Sequence, residues 1–189
     1  MNKLARKDIR GPSLYEPIRE DLRRRVVELK RARRVPVGPH VTLVFENRAT
    51  MIFQIEEMLR AEHITDEARI AEEIDVYNSL VPEPGELSAT LLVEITEEKE
   101  IRPTLARLVG IDEHVRLEIA GARVPAQFEA GRSDGERVSS VQYVRFPVGR
   151  ERANALRGGP ARLVIDHPNY QHTAALADPT RMSLAEDLA

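Results

Sequence analysis

The 189-residue chain has no cysteine and no tryptophan, and it has only four tyrosines and four phenylalanines. Without a thiol there is no disulfide framework, no thiolate nucleophile, no Cys-ligated zinc and no Cys-ligated iron–sulfur cluster. Long apolar runs are missing too. The longest covers residues 174–177, against the ~20 that a membrane-spanning helix requires. Residues 1–7 are charged but lead into no apolar stretch, so no membrane or secretion segment is expected and the reading is cytoplasmic. What is present suits a folded domain: 42% hydrophobic and 31% charged residues, which is not the composition of a disordered chain. At roughly 150 residues per domain, the length predicts a single domain over 1–189.

Charge is unevenly spread. Residues 1–34 hold twelve basic and five acidic residues, net +7, which leaves −10 on the remainder of a chain whose total is −3. Residues 56–75 carry eight acidic residues against Arg60 and Arg69. Such asymmetry marks either an intermolecular surface or a basic helix lying over an acidic part of its own domain, and the second is the commoner case.

Periodicity predicts helices early and strands late. A first helix starts at Ser13, with Glu16 completing a capping box, Pro17 tolerated in the first turn, and Leu14, Ile18, Leu22, Val26 and Leu29 turned inward. Val35-Pro36-Val37-Gly38-Pro39 ends it. Residues 40–46 then alternate as a strand, with Val41, Leu43 and Phe45 on one face and His40, Thr42, Val44 and Glu46 on the other. Asn47 caps a second helix that buries Met51, Ile52, Ile55, Met58 and Leu59, and Thr65-Asp66 opens a third. From Leu87 the period changes to two. Strands follow at 87–95, 115–119, 124–128, 138–146 and 161–165. A helix near 101–109 should kink or start late because of Pro103. Residues 130–136 read as a polar turn, 150–156 as a short helix, and Pro168-Asn169 as a turn. Asp178 caps a terminal helix with Pro179 at its first position. The whole predicts an α+β fold with a mostly antiparallel sheet, helices clustered in the N-terminal half and short C-terminal helices. Residues 1–12 read as loose, 13–82 as mainly helical and 87–189 as mainly sheet.

The familiar catalytic motifs are absent. Gly158-Gly159-Pro160 lacks the Gly-Lys-Ser/Thr of a phosphate loop, and there is no nucleophile elbow or zinc helix. Glu57-Met58-Leu59-Arg60 stands where a di-iron helix would carry Glu-x-x-His. Three clusters remain. Asp166, His167 and His172 lie within seven residues and have metal-ligand or acid–base chemistry, although strand alternation sends Asp166 and His167 to opposite faces. Thr50, Gln54 and Glu57 form a polar stripe on the second helix; with His40 and Glu46 on the adjoining strand they would wall a ligand cleft if that stripe faces inward. The basic stretch 30–34 suits phosphates, but an overall negative charge and scarce aromatics argue against a nucleic-acid surface.

Four segments carry a family likeness: 30–47, Lys-Arg-Ala-Arg-Arg-Val-Pro-Val-Gly-Pro-His-Val-Thr-Leu-Val-Phe-Glu-Asn; 54–60, Gln-Ile-Glu-Glu-Met-Leu-Arg; 77–82, Tyr-Asn-Ser-Leu-Val-Pro; and 166–170, Asp-His-Pro-Asn-Tyr. Through them the chain resembles a bacterial family designated domain of unknown function 3501, over nearly its whole length. The resemblance implies no established activity. Its members are often encoded beside rubrerythrin-like and iron–sulfur oxidoreductase-like proteins, which implies service to a redox or oxidative-stress system through a redox or iron–sulfur partner protein, because this chain cannot hold a Cys-ligated cluster itself. His40, Glu46, Gln54, Glu57 and Tyr170 are the ligand-binding candidates, and Asp166, His167 and His172 the candidates for a metal held by His and carboxylate.

Three functions therefore stand at this point. The first is an accessory or ligand-binding protein. The second is a metal-dependent or acid–base hydrolase using His40, Asp166, His167 and His172. The third is nucleic-acid binding through Arg24, Lys30, Arg31 and Arg34. A homodimer through strand edges or the first helix is a further expectation.

Overall fold

Two antiparallel sheets share one apolar core, and a layer of helices covers the outer face of the larger sheet. A computed structural model describes residues 3–129, 131 and 135–188. Residues 1 and 2 at the expected charged start, and residues 130 and 132–134 of the turn read at 130–136, lie outside the described residues.

The larger sheet has the order β1-β2-β3-β7-β6, formed by β1 (Arg34–Val37), β2 (Val41–Glu46), β3 (Glu86–Val93), β7 (Val141–Pro147) and β6 (Gln127–Phe128). The smaller has the order β5-β4-β8-β9, from β4 (Val115–Ile119), β5 (Ala122–Pro125), β8 (Ala161–His167) and β9 (Tyr170–Ala175). Every pairing is antiparallel. Alternation sets the register: Val41, Leu43 and Phe45 stand opposite Val93, Leu91 and Ala89, and all six enter the core with Leu117 and Leu163 of the smaller sheet. The fold is thus α+β with antiparallel sheets, and the period-two reading of β3 holds.

The helical layer comprises α1 (Pro12–Tyr15), α2 (Arg19–Arg33), α3 (Arg48–Ala61) and α4 (Glu67–Asn78). A second apolar cluster forms here from Met51, Ile55 and Leu59 of α3, Ile70 and Ile74 of α4, and Leu4 and Ile9. Asn47 caps α3 as its side chain predicts: Oδ1 accepts from the Ala49 and Thr50 N–H groups, and Thr50 Oγ1 accepts from the Asn47 N–H. Asp66 caps α4 through the Arg69 N–H. In the second half of the chain, α5 (Glu98–Arg107), α6 (Ala153–Gly158) and α7 (Asp178–Leu188) send Leu105, Leu156 and Leu184 into the first core.

Several expectations need correction. The first helix does not run from Ser13. Pro12 begins a four-residue turn of helix, residues 16–18 tighten into a 3-10 turn, and α2 starts at Arg19. The inward stripe cannot carry across that break, so Leu14 is exposed and Tyr15 takes the buried position. Val35-Pro36-Val37 does more than end the helix: it is the edge strand β1, the place where a proline without an N–H is tolerated. Residues 124–128 divide between β5 and β6, which join different sheets. β9 was not foreseen, and α5 runs through Pro103. Residues 3–11 are held in place rather than loose. Leu4 exchanges two hydrogen bonds with the Asn78 side chain, and Glu56 accepts from the N–H groups of Arg10 and Gly11.

Candidate functional site

Strand β2 is buried on both faces. Its core side is explained by the shared interior; its outer side is explained by the helices, and there a cleft of about 330 Å³ opens. This volume falls at the lower end of small-molecule sites, about 300–1,000 Å³. Sheet register builds the floor: Val44 stands beside Thr90, which stands beside Tyr143, and in the next row Leu92 pairs with Val141. The walls come from Lys30 at the end of α2, Met51 and Gln54 on α3, and Tyr77 on α4.

Glu46 is the chemical centre of this cleft. It is 5% exposed. Its Oε1 accepts a 3.2 Å hydrogen bond from the Thr90 hydroxyl, but its Oε2 has no hydrogen-bond partner. The Lys30 ammonium stands 3.6 Å from that oxygen, near enough to offset its charge and too far to hydrogen-bond. A buried acceptor left this way costs about 1–3 kcal/mol. At the rim, Arg34 pairs with Glu94, whose carboxyl is held below its ordinary value first by the Thr42 hydroxyl and then by Arg34. Burial pushes the Tyr77 hydroxyl up, with a hydrogen bond from Gln54 acting against it, so Tyr77 stays protonated.

The candidates named from the sequence do not all reach this place. Glu46 and Gln54 line the cleft. Glu57 instead docks the first helical segments, accepting from Tyr15 Oη at 2.7 Å and from Arg19 Nε and Nη2 at 2.7 and 2.9 Å. The guanidinium holds its carboxyl down to about 2. Thr50 is spent in the α3 cap. Tyr170 lies under the β1–β2 turn, where its hydroxyl accepts from the His40 and Val41 N–H groups and donates to Val37 O at 2.7 Å. His40 contributes a backbone bond to that arrangement, its ring centroid 6.4 Å from that of Tyr170.

Asp166, His167 and His172 are each engaged with different neighbours. Asp166 pairs with Arg116, which lowers its pKa, and with His114 Nδ1 at 3.2 Å. His167 is buried, with Nε2 2.9 Å from Val109 O and Nδ1 accepting from the Asn169 N–H. This network assigns the proton to Nε2. His172 packs on the Tyr170 ring at 4.4 Å. Among the described residues, no group of three His, Asp or Glu side chains is arranged to hold a metal ion. Of the cations considered for nucleic acid, Arg24 pairs with Asp21, Arg31 with Glu28, Lys30 with Glu46 and Arg34 with Glu94. Among the described residues, no helix is long and apolar enough to cross a membrane.

Tyr77, Thr90, Leu92 and Tyr143 are not among the sequence candidates, and Lys30 is among them only as a contact to nucleic acid. One signal was available: Val44, Leu92 and Val141 are apolar on the strand face opposite the core, which indicates a sheet covered on both sides.

Comparison with known proteins supplies a family and a fold, with no activity. No curated protein matches. A crystal structure described as a novel protein of unknown function from Burkholderia pseudomallei is 36% identical over 100% of both chains, with a TM-score of 0.92. The family described as "Protein of unknown function (DUF3501)" matches residues 3–188, and the chain belongs to that family.

Proposed function

We propose that this protein is a cytoplasmic small-molecule-binding protein whose site is the cleft between the outer face of the larger sheet and helices α2, α3 and α4. The observation that carries the reading is Glu46, a buried carboxylate ion-paired with Lys30 and with one oxygen that accepts no hydrogen bond, set in the wall of a hollow of ligand size. Buried polar atoms are nearly always satisfied, and Glu46 and Lys30 both line the cleft as an ion pair, so the pair offers a ligand a charged anchor at the wall. An accessory part in a redox system, through a partner protein, is supported by the family resemblance alone.

Native mass spectrometry of protein purified from its own host tests the reading. Gln54 is exposed at the cleft wall, so Gln54→Trp fills the hollow from outside without disturbing the core. The wild type is expected to carry a small-molecule mass that the variant lacks. An adduct equally present in both, or ligand-free wild type, counts against the site.

A further inference from the structure

The geometry points to the chemical class of the ligand: we infer that the cleft takes a zwitterionic amino acid with an apolar side chain, its ammonium on the Glu46 carboxylate and its carboxylate toward Lys30 and Arg34. This rests on the proposed cleft reading and adds the chemistry.

Three features of the cleft lead there. The first is the Glu46 carboxylate, which lines the cleft and has one oxygen that accepts no hydrogen bond; a ligand ammonium taking the place of Lys30 gives a charge-assisted bond in a place largely closed to water. The second is Lys30. It stands 3.6 Å from that same oxygen, so a simple cation arriving at Glu46 would face an unrelieved like charge. A ligand carrying its own carboxylate gives Lys30 a replacement partner as the ammonium takes Glu46. The charges of the site fit such a molecule. Lys30 offsets Glu46, and Arg34 at the rim is already matched by Glu94, so the cleft as a whole favours a ligand without net charge. The third feature is the remaining surface. Val44, Met51, Leu92 and Val141 are apolar, and Tyr77 and Tyr143 add ring faces, which suits a branched aliphatic or aromatic side chain.

The test uses full-length protein and isothermal titration calorimetry with three kinds of probe: L-leucine and L-phenylalanine, their deaminated acids, and their decarboxylated amines. The amino acids are expected to bind, and each analogue to bind about 10- to 100-fold more weakly, the loss of one hydrogen bond to a charged partner. Glu46→Gln should weaken the amino acids by a similar factor while leaving the deaminated acids unchanged. Lys30→Met, at a partly exposed position, should do the reverse for the amines and supplies the decisive variant if Glu46→Gln fails to fold by circular dichroism. The inference is overturned if either analogue binds as well as its parent, if Glu46→Gln folds and binds normally, or if no amino acid binds. A host-derived ligand still lost in Gln54→Trp would then leave the cleft standing and remove only the amino-acid assignment.

Discussion

At the scale of single residues, polar side chains here act mostly as fasteners for backbone. Tyr170 is the clearest case. One hydroxyl serves the N–H groups of His40 and Val41 and the carbonyl of Val37, so it ties the β1–β2 turn to the second sheet. Gly38 makes this approach possible. Its φ is +80°, and a Cβ there would come 2.5 Å from the His172 ring and 2.6 Å from the Tyr170 hydroxyl oxygen. Tyr170→Phe leaves three backbone groups with one partner fewer and should cost about 1–3 kcal/mol. Gly38→Ala adds a strained backbone to a steric clash and should cost about 1–3 kcal/mol for the strain alone. Urea unfolding checks both; a midpoint within error of wild type for Tyr170→Phe would show that the fastening is dispensable. The same residues show how sequence reading goes astray. Tyr170, His167 and Asp166 looked like site chemistry because their types and spacing allow it, and type and spacing do not reveal which hydrogen bonds a fold has already used.

At the scale of elements, charged side chains dock helices onto one another and onto the sheet. By sequence Arg33 is one more cation in a basic run, yet it is 1% exposed. It donates to Phe45 O, Glu46 O and Ser183 Oγ and pairs with Asp187, joining α2 to β2 and α7. Burial pushes the Asp187 carboxyl up, and Arg33 and Asn47 pull it back. Arg33→Met should destabilise by about 3–5 kcal/mol because it strands a buried carboxylate, and adding Asp187→Leu should recover a large part of that. A double variant no more stable than the single one would show that Arg33 acts through packing. Glu57 is the pH-sensitive counterpart. Its carboxyl is held at about 2 by Arg19 first and Tyr15 second, whereas a free glutamate titrates near ~4.3. The unfolded chain therefore takes the proton first as pH falls. The stabilisation is complete above the unfolded value and disappears as pH drops through the folded one. Unfolding midpoints between about pH 5 and 2 should fall more steeply for wild type than for Glu57→Gln; parallel curves would remove Glu57 from the account. The helices, the strand faces and both N-caps were legible because they follow local period and side-chain type. The edge strand β1, the strand β9 and the Arg33 pairing were not, since each is fixed by a partner far along the chain.

At the scale of the whole molecule, the +7 leading segment and the acidic remainder answer each other across the fold. Lys3 meets Glu83, Arg6 meets Glu67, Arg19 meets Glu57, and Arg33 meets Asp187. The first two pairs are exposed and each worth little, so charge alone does not hold the start of the segment down. Burial does: Leu4 and Ile9 enter the helical cluster, and Glu56, fully buried, depends on the Arg10 and Gly11 N–H groups. The molecule therefore has two apolar centres, one between the sheets and one among α3, α4 and the leading segment, and the cleft lies where the helical layer meets the sheet. Removing residues 1–11 deletes Leu4 and Ile9, worth about 1.5–3 kcal/mol per buried side chain, and leaves the Glu56 carboxylate without the two donors that make its burial tolerable. The loss should fall on one centre before the other. In native-state hydrogen exchange of the truncated protein, amides of α3 and α4 should lose protection while those of β2, β3 and β7 keep theirs, because the sheets retain their shared core. Because two walls of the cleft stand on α3 and α4, ligand binding should weaken in the same variant even though the Glu46 strand stays in place. Equal loss of protection in helices and strands would instead make the two centres a single cooperative unit, with the leading segment holding all of it.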